Sequence, residues 1–177
     1  MSQQRQVLQQ AGTVEANAVR FDAEKAEQVV EALNLDLAAS VVRYHQLRKH
    51  NWNVAGPESR ELAGFLGEAA AESERHADAL ARRVAEIGGV PLSGPAAFER
   101  HSPIPFEGED VYDVRSSLAN DLEAYGDSIE SVSSHIELAE SLGDHATGHL
   151  LRGHLADLER RASAIDGLLA RTSLTDW

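Results

Sequence analysis

No cysteine occurs in the sequence, and this excludes disulfide bonds, thiolate metal sites and cysteine nucleophiles. There is also no run of about 18 apolar residues, the length that a membrane-spanning helix needs. The N-terminal stretch lacks an apolar segment long enough for a signal peptide. We therefore expect a cytoplasmic protein that has no membrane partner.

Lysine is nearly absent, since Lys25 and Lys49 are the only two in the chain. Arginine supplies the remaining positive charge, and the formal net charge is −13. Binding to nucleic acid depends on cationic side chains that neutralise phosphates. A chain of this charge attracts cations instead, so we expect metal ions as partners, whereas general adhesion to DNA is disfavoured.

Proline is confined to five positions, which leave the long proline-free spans 1–56, 58–90 and 106–177. Because proline breaks helix interiors, long helices can form in these spans. Apolar residues recur there at intervals of three and four, which predicts four amphipathic helices. The apolar faces are Val30, Leu33, Leu37, Val41 and Tyr44 in the first helix; Leu62, Leu66, Ala69, Ser73, Ala77, Leu80, Val84 and Ile87 in the second; Val111, Val114, Leu118, Leu122, Tyr125, Ile129, Val132 and Ile136 in the third; and Leu151, Leu155, Leu158, Ala162, Ile165 and Leu169 in the fourth.

Capping residues and loop lengths predict how these helices connect. Asp22 and Asp144 suit the N-caps of the first and fourth helices, and Gly88 and Gly143 suit the ends of the second and third. The short links at 52–57 and 142–144 make two antiparallel hairpins. A long link from residue 88 to 108 joins them, and its "PAAFER" stretch suits a short helix.

This connectivity predicts an all-α fold, a four-helix bundle with one long crossover, as in ferritin-like proteins. The length of 177 residues fits one domain. We expect a flexible N-terminal tail at 1–21, the bundle at 22–172 and a short C-terminal end at 173–177.

Several stretches resemble the Dps family, the mini-ferritins also called DNA-binding proteins from starved cells. The resemblance is closest to haloarchaeal and cyanobacterial-type members. It implies a hollow homododecamer that takes up ferrous iron, oxidises it, usually with hydrogen peroxide, and stores it as a ferric mineral. The stretches are "YHQLRKHNWNVAG", "ELAGFLGEAAAE", "ADALARRVAEIGG", "VYDVRSSLANDLEAYGDSIE" and "ESLGDHATGHLL".

The resemblance also implies where ferroxidase ligands would lie. In the family the site lies between two subunits and uses two histidines, an aspartate and a glutamate four residues after the aspartate. The matching positions here hold Asn51, Ala63, Asp78 and Arg82. A guanidinium four residues after Asp78 can pair with that carboxylate. We expect the usual site to be closed, and this leaves ferroxidase activity undecided.

Neighbouring residues offer a displaced metal site at the dimer interface. Glu72 and His76 lie one helical turn apart, and His50 is adjacent to a lost histidine position. Together with Asp78 they would bind iron, or zinc at the histidines. The alternative is that the carboxylates are solvated and that the histidines make structural hydrogen bonds.

A further group of candidate ligands lies at the corner before the fourth helix. His145 and His149 share one face of that helix, and Glu140 lies near the end of the third. In the family this corner lines a three-fold pore, so three chains would form rings of one glutamate and two histidines that bind zinc or ferrous iron. The alternative is that both histidines are ordinary exposed residues.

The residues and the resemblance together predict an iron-storing cage that protects against iron and peroxide damage, with its ferroxidase ligands largely replaced. The alternative is a noncatalytic structural paralogue that co-assembles with an active relative. We expect no DNA compaction, because the predicted N-terminal tail contains only Arg5 and Arg20 as cations.

Overall fold

The computed structural model describes residues 6–171, and every regular element in that range is a helix. The predicted C-terminal end at 173–177 lies outside the described residues. None of the helices is both long enough and apolar enough to cross a bilayer, as far as residues 6–171 are concerned. The helices are α1 (Ala23–Asn53), α2 (Ser59–Glu86), α3 (Pro95–His101), α4 (Val114–Ser141) and α5 (His145–Leu169).

The helix ends lie where capping chemistry predicts them. The Asp22 side chain accepts a hydrogen bond from the backbone N–H of Lys25 at 3.1 Å, and Asp144 caps α5 in the same way. Gly88 follows α2 with a φ of +87°, a value that favours glycine because L side chains are strained there. The two predicted hairpins are confirmed, because α1 packs along α2 and α4 packs along α5.

One boundary prediction is wrong. The apolar pattern places Val111 on the third long helix, but α4 begins at Val114, and Val111 is 63% exposed. The physical reason is the cap. Asp113 accepts a hydrogen bond from the backbone N–H of Ser116 at 2.9 Å, which starts the helix after Val111.

Apolar side chains from the four long helices form one main core. Leu33, Leu66, Leu118 and Leu151 come from different helices and are each no more than 2% exposed. Burial of each such leucine contributes about 1.5 to 3 kcal/mol. Apolar positions recur at intervals of three and four along each helix, and burial of these faces brings the helices together.

Arg83 fixes the α4–α5 corner to the end of α2. Its Nη2 lies 2.8 Å from Oδ1 of Asp144, and its Nε donates to Oγ1 of Thr147 at 2.9 Å. Asp144 is 4% exposed, so its carboxylate needs this partner. The candidate pore residues on the corner are therefore held in place relative to α2.

The segment before α1 also contacts the end of α2, although it is predicted to be a flexible tail. The backbone N–H of Glu15 donates to the carbonyl of Gly88 at 2.9 Å, and Gln9 Nε2 donates to the same oxygen at 2.9 Å. Val14 and Phe21 pack against the apolar core. The division of the chain at residue 21 stays a prediction.

The contact between Glu15 and Gly88 can be tested with a matched pair of glycines. Gly88 and Gly94 both have positive φ, but only at Gly88 would a new Cβ lie 2.1 Å from the Glu15 carbonyl oxygen. We expect Gly94→Ala to cost about 1 to 2 kcal/mol from backbone strain. Gly88→Ala should cost about 1 to 3 kcal/mol more, because Glu15 must move.

Urea unfolding measures both costs, and protease cleavage between residues 9 and 21 reports release of the segment. Equal costs for the two variants, with no gain in cleavage, would show that the segment does not pack on Gly88.

Candidate metal centre

The two positions that the resemblance assigns to histidine ligands lie against each other at the α1–α2 turn. Asn51, near the end of α1, donates from Nδ2 to the backbone carbonyl of Ala63 at 2.6 Å. Ala63 lies in the second turn of α2. Neither residue has an imidazole, and the Asn51 side chain is tied to this turn through its N–H, so the turn does not present the expected histidine ligands.

The other two positions form an ion pair on the exposed side of α2. Nε of Arg82 lies 2.8 Å from Oδ2 of Asp78, and the two side chains are 73% and 63% exposed. The hydrogen bond to Asp78 raises the pKa of Arg82. Because water screens the pair, its effect on stability is small. Its chemical effect is to place a permanent cation on the one carboxylate at a position that the resemblance assigns to a ligand.

His50 is buried and has carboxylates at both ring nitrogens. Nδ1 lies 3.0 and 2.9 Å from the two carboxylate oxygens of Asp121, and Nε2 lies 2.9 Å from Oε2 of Glu107. Glu107 also contacts Lys49 and accepts from Asn120 at 2.8 Å. Two carboxylate partners favour the doubly protonated ring, which has no lone pair for a metal.

The pKa shifts in this group follow from burial and pairing. Burial alone would lower the pKa of His50, but the hydrogen bonds and charges of Asp121 and Glu107 outweigh it and raise that pKa. Burial raises the pKa of Asp121, although His50 and Gln46 oppose the shift. For Glu107, burial is outweighed by the donors Lys49 and His50, and its pKa is lowered.

Glu72 and His76 share the buried face of α2, and each has a partner from α5. Arg160 Nη2 lies 2.8 Å from Oε2 of Glu72, and Arg161 Nε lies 3.2 Å from Oε1. His76 Nε2 lies 3.1 Å from Oδ2 of Asp157. These contacts join α2 to α5, pair both carboxylate oxygens of Glu72 with arginines and use Nε2 of His76.

Within one chain, the displaced-site candidates therefore do not converge. His50, Glu72, His76 and Asp78 each have a different partner. In the part of the chain that the structure covers, no three His, Asp or Glu side chains are placed to hold a metal ion together. A site completed by a second subunit stays a prediction.

The candidate pore residues lie at the α4–α5 corner, with His145 and His149 both exposed. Glu140 forms an ion pair with Arg152, which follows both histidines on α5. Arg152 was not among the residues predicted to line the pore. Three-fold rings of these side chains stay a prediction, and Arg152 would add a cation to each ring.

The partner residues could be only partly foreseen. Asp121 lies three residues after Leu118 and four before Tyr125 on α4, so a carboxylate on the apolar face was visible in the sequence. Glu107 lies in the irregular crossover, and no sequence pattern connects it to His50. Arg160 and Arg161 look like ordinary surface charges.

The pairing of His50 predicts a pH-dependent stability. Because its folded-state pKa is raised, the stabilisation is complete below the unfolded pKa of about 6.5 and is lost as the pH rises through the folded-state value. We expect His50→Gln to cost about 1.5 to 3 kcal/mol near pH 6 and less near pH 9. Urea unfolding at both pH values measures the difference.

His45→Gln is the matched control, since the recorded contacts of His45 are the rings of Tyr44 and Phe106. Its cost should be nearly the same at both pH values. A cost of His50→Gln that is independent of pH, or larger near pH 9, would contradict the proposed ionisation.

Comparison with known proteins supports the resemblance seen in the sequence. A family model described as a ferritin-like domain matches residues 30–175. The DNA protection during starvation protein of Halobacterium salinarum is 52% identical over 175 residues, which cover 98% of this chain and 96% of that protein. A nutrient stress-induced DNA-binding protein of Synechococcus is 32% identical over 95% of this chain and 96% of its own length.

A solved structure shows the same fold. The crystal structure of an archaeal Dps homologue from Halobacterium salinarum superposes with a TM-score of 0.91 at 53% sequence identity, covering 94% of this chain and 93% of the other. The predicted ferritin-like four-helix bundle is therefore confirmed. Since both the sequence and the fold match over nearly the full length, the chain belongs to the Dps family of ferritin-like proteins.

Proposed function

We propose that this chain is the subunit of a Dps-type cage that binds and stores iron and protects against iron and peroxide damage without the usual ferroxidase centre. The observation that carries the proposal is the ion pair between Arg82 and Asp78. Family membership supports the iron-storing role, and the formal net charge of −13 per chain supports attraction of ferrous ions.

The closure of the site follows from charge and from ligand chemistry. Ferrous iron would have to displace the Arg82 guanidinium from Asp78 and then remain close to it, where two positive charges repel each other. Asn51 and Ala63 supply no imidazole to compensate. Iron would therefore bind weakly at this position, and its oxidation there would be slow.

Assembly as a homododecamer is part of the proposal. Trp52, near the end of α1, is 68% exposed in the single chain, and the Arg48 guanidinium lies 5.5 Å from the centre of its ring. A large exposed aromatic side chain of this kind suits a subunit contact. The candidate pore at the α4–α5 corner would then give ferrous ions a route into the cage.

Protection of DNA, as named for the relatives, would come here from removal of iron and not from contact with DNA. Of residues 6–21, only Arg20 carries a positive side chain. The charge of the whole chain is unfavourable for binding to phosphates.

A second candidate function is a noncatalytic subunit that co-assembles with an active relative. It is favoured by the separate partners of His50, Glu72, His76 and Asp78, which leave no three-ligand group among residues 6–171. A purified homo-oligomer that never accumulates iron would support this second function over storage.

Restoring the ligands should restore the reaction. The variant with Asn51→His, Ala63→His and Arg82→Glu replaces the guanidinium and the two lost imidazoles. We expect its oxidation of ferrous iron by hydrogen peroxide to be at least about tenfold faster than that of the unmodified protein, given what loss of metal-supporting groups costs. Stopped-flow absorbance of the ferric product measures both rates.

Arg75→Glu is the matched control, because it makes the same change of charge at another exposed position on α2. It should leave the rate unchanged. The proposal fails if the unmodified protein already oxidises two irons per subunit rapidly with peroxide and loses this reaction in Asp78→Ala.

A further inference from the structure

All four long helices contribute to one narrow cavity in the middle of the bundle. Its polar lining comes from Asp36, Ser40 and Arg43 on α1, His76 on α2, Ser128 on α4 and His154 on α5. A water-sized sphere can place its centre within about 10 Å³ of the cavity. This is room for one such particle.

Arg43 brings a positive charge into this cavity. It is 2% exposed, and it donates from Nε to Ser73 Oγ at 3.1 Å and from Nη1 to Ser128 Oγ at 2.6 Å. A guanidinium has five N–H groups, and the bonds to the two serines use two of them. Among residues 6–171, no carboxylate lies within ion-pair distance of Arg43.

The two serines cannot neutralise this charge. Ser73 donates its hydroxyl hydrogen to the carbonyl of Ala69 at 3.1 Å, and Ser128 donates to Ala124 at 2.8 Å. Each oxygen therefore accepts from Arg43 as a neutral hydroxyl. The ring of Tyr125 lies 5.1 Å from the guanidinium in a cation–π contact, and its neutral hydroxyl adds a polar interaction but no formal charge.

Other hydrogen-bond donors line the same space. Ser40 is 4% exposed and His154 is 7% exposed, and no hydrogen bond to another described residue is recorded for either side chain. The ring of His154 stacks on His76 at a centroid distance of 4.0 Å. Burial, with the charges of His76 and Arg43, lowers the pKa of His154 to about 3, so its ring is neutral and retains one N–H.

Asp36 is the only carboxylate in the cavity wall within the described chain. Its two oxygens accept from Ser131 and from Nδ1 of His135, both at 2.8 Å. These partners lie on α4, and Asp36 makes no ion pair with Arg43. The cavity therefore joins a buried guanidinium to uncommitted hydroxyl and imidazole donors and to one carboxylate that is already hydrogen-bonded. Burial lowers the pKa of Arg43, and the charges of Asp36 and Glu72 offset part of this effect.

We propose that this cavity binds one halide-sized monovalent anion, held by Arg43 with Ser40 and His154. A buried charge is costly unless an opposite charge or hydrogen-bond partners satisfy it, and chloride would provide both. Chloride is closer to water in size than sulfate or phosphate, so it suits this narrow space better. The bound anion would stabilise the folded subunit at the point where the four long helices meet, whether or not the cage stores iron.

Crystals of the full chain grown with bromide in place of chloride test the site directly. Anomalous scattering at the bromine edge should show one peak in the cavity of every subunit, within hydrogen-bonding distance of Arg43. A cavity that contains only water, with no anomalous peak, would overturn the proposal.

Urea unfolding at constant ionic strength provides an independent test. Replacing gluconate by chloride should stabilise the protein, and each tenfold rise in chloride above its dissociation constant should raise the folding equilibrium constant about tenfold. Sulfate should not reproduce the effect. Equal stability in chloride and gluconate would overturn the proposal.

Arg43→Met should abolish the chloride dependence and the bromide peak, whereas Arg75→Met removes the same charge from the surface and should preserve both. The methionine variant is expected to fold, since Ser73 and Ser128 keep their bonds to helix carbonyls. If it does not fold, the bromide map and the anion series of the unmodified protein still decide. Chloride dependence that persists in folded Arg43→Met would also overturn the proposal.

Discussion

Charged side chains that are buried between helices must be paired or hydrogen-bonded, and the rest of this structure depends on that constraint. Asp121 is fully buried, Arg43 is 2% exposed and Asp144 is 4% exposed. The contact of Asp121 with His50 joins α4 to α1, and that of Asp144 with Arg83 joins the α4–α5 corner to α2. Apolar packing brings the helices together, while these pairs specify how they align.

The same constraint explains why the candidate ligands do not form a metal site within the chain. A metal needs lone pairs on carboxylates and imidazoles, but the carboxylates of Glu72 and Asp78 face arginines, and His50 has carboxylates at both ring nitrogens. Arg160 and Arg161 bind Glu72, and Asp157 holds His76. The exposed pair of Arg82 with Asp78 has the same effect on the outside of α2. The bundle therefore keeps the layout of its family while its charges are paired internally.

The sequence was sufficient to predict the helices but not the pairing. Apolar periodicity and capping place the four long helices, and the "PAAFER" stretch places the short α3. The main boundary error, at Val111, comes from overlooking the Asp113 cap. The proposed replacement of three family ligands also comes from the sequence, because it depends on the resemblance and on residue identity alone. The partners of His50 were not, since Asp121 is 71 residues away in the sequence and Glu107 lies in an irregular link. Periodicity gives the face on which a side chain lies, but not which charge lies opposite it.

The central claim is that iron is held by this cage but not at the family's ferroxidase position. Crystals of the assembled protein soaked anaerobically in ferrous iron, with anomalous scattering recorded on both sides of the iron edge, test this most directly. The account predicts no iron at Asp78, with Arg82 still bound to its carboxylate. Iron coordinated by Asp78, with Arg82 displaced, would contradict it.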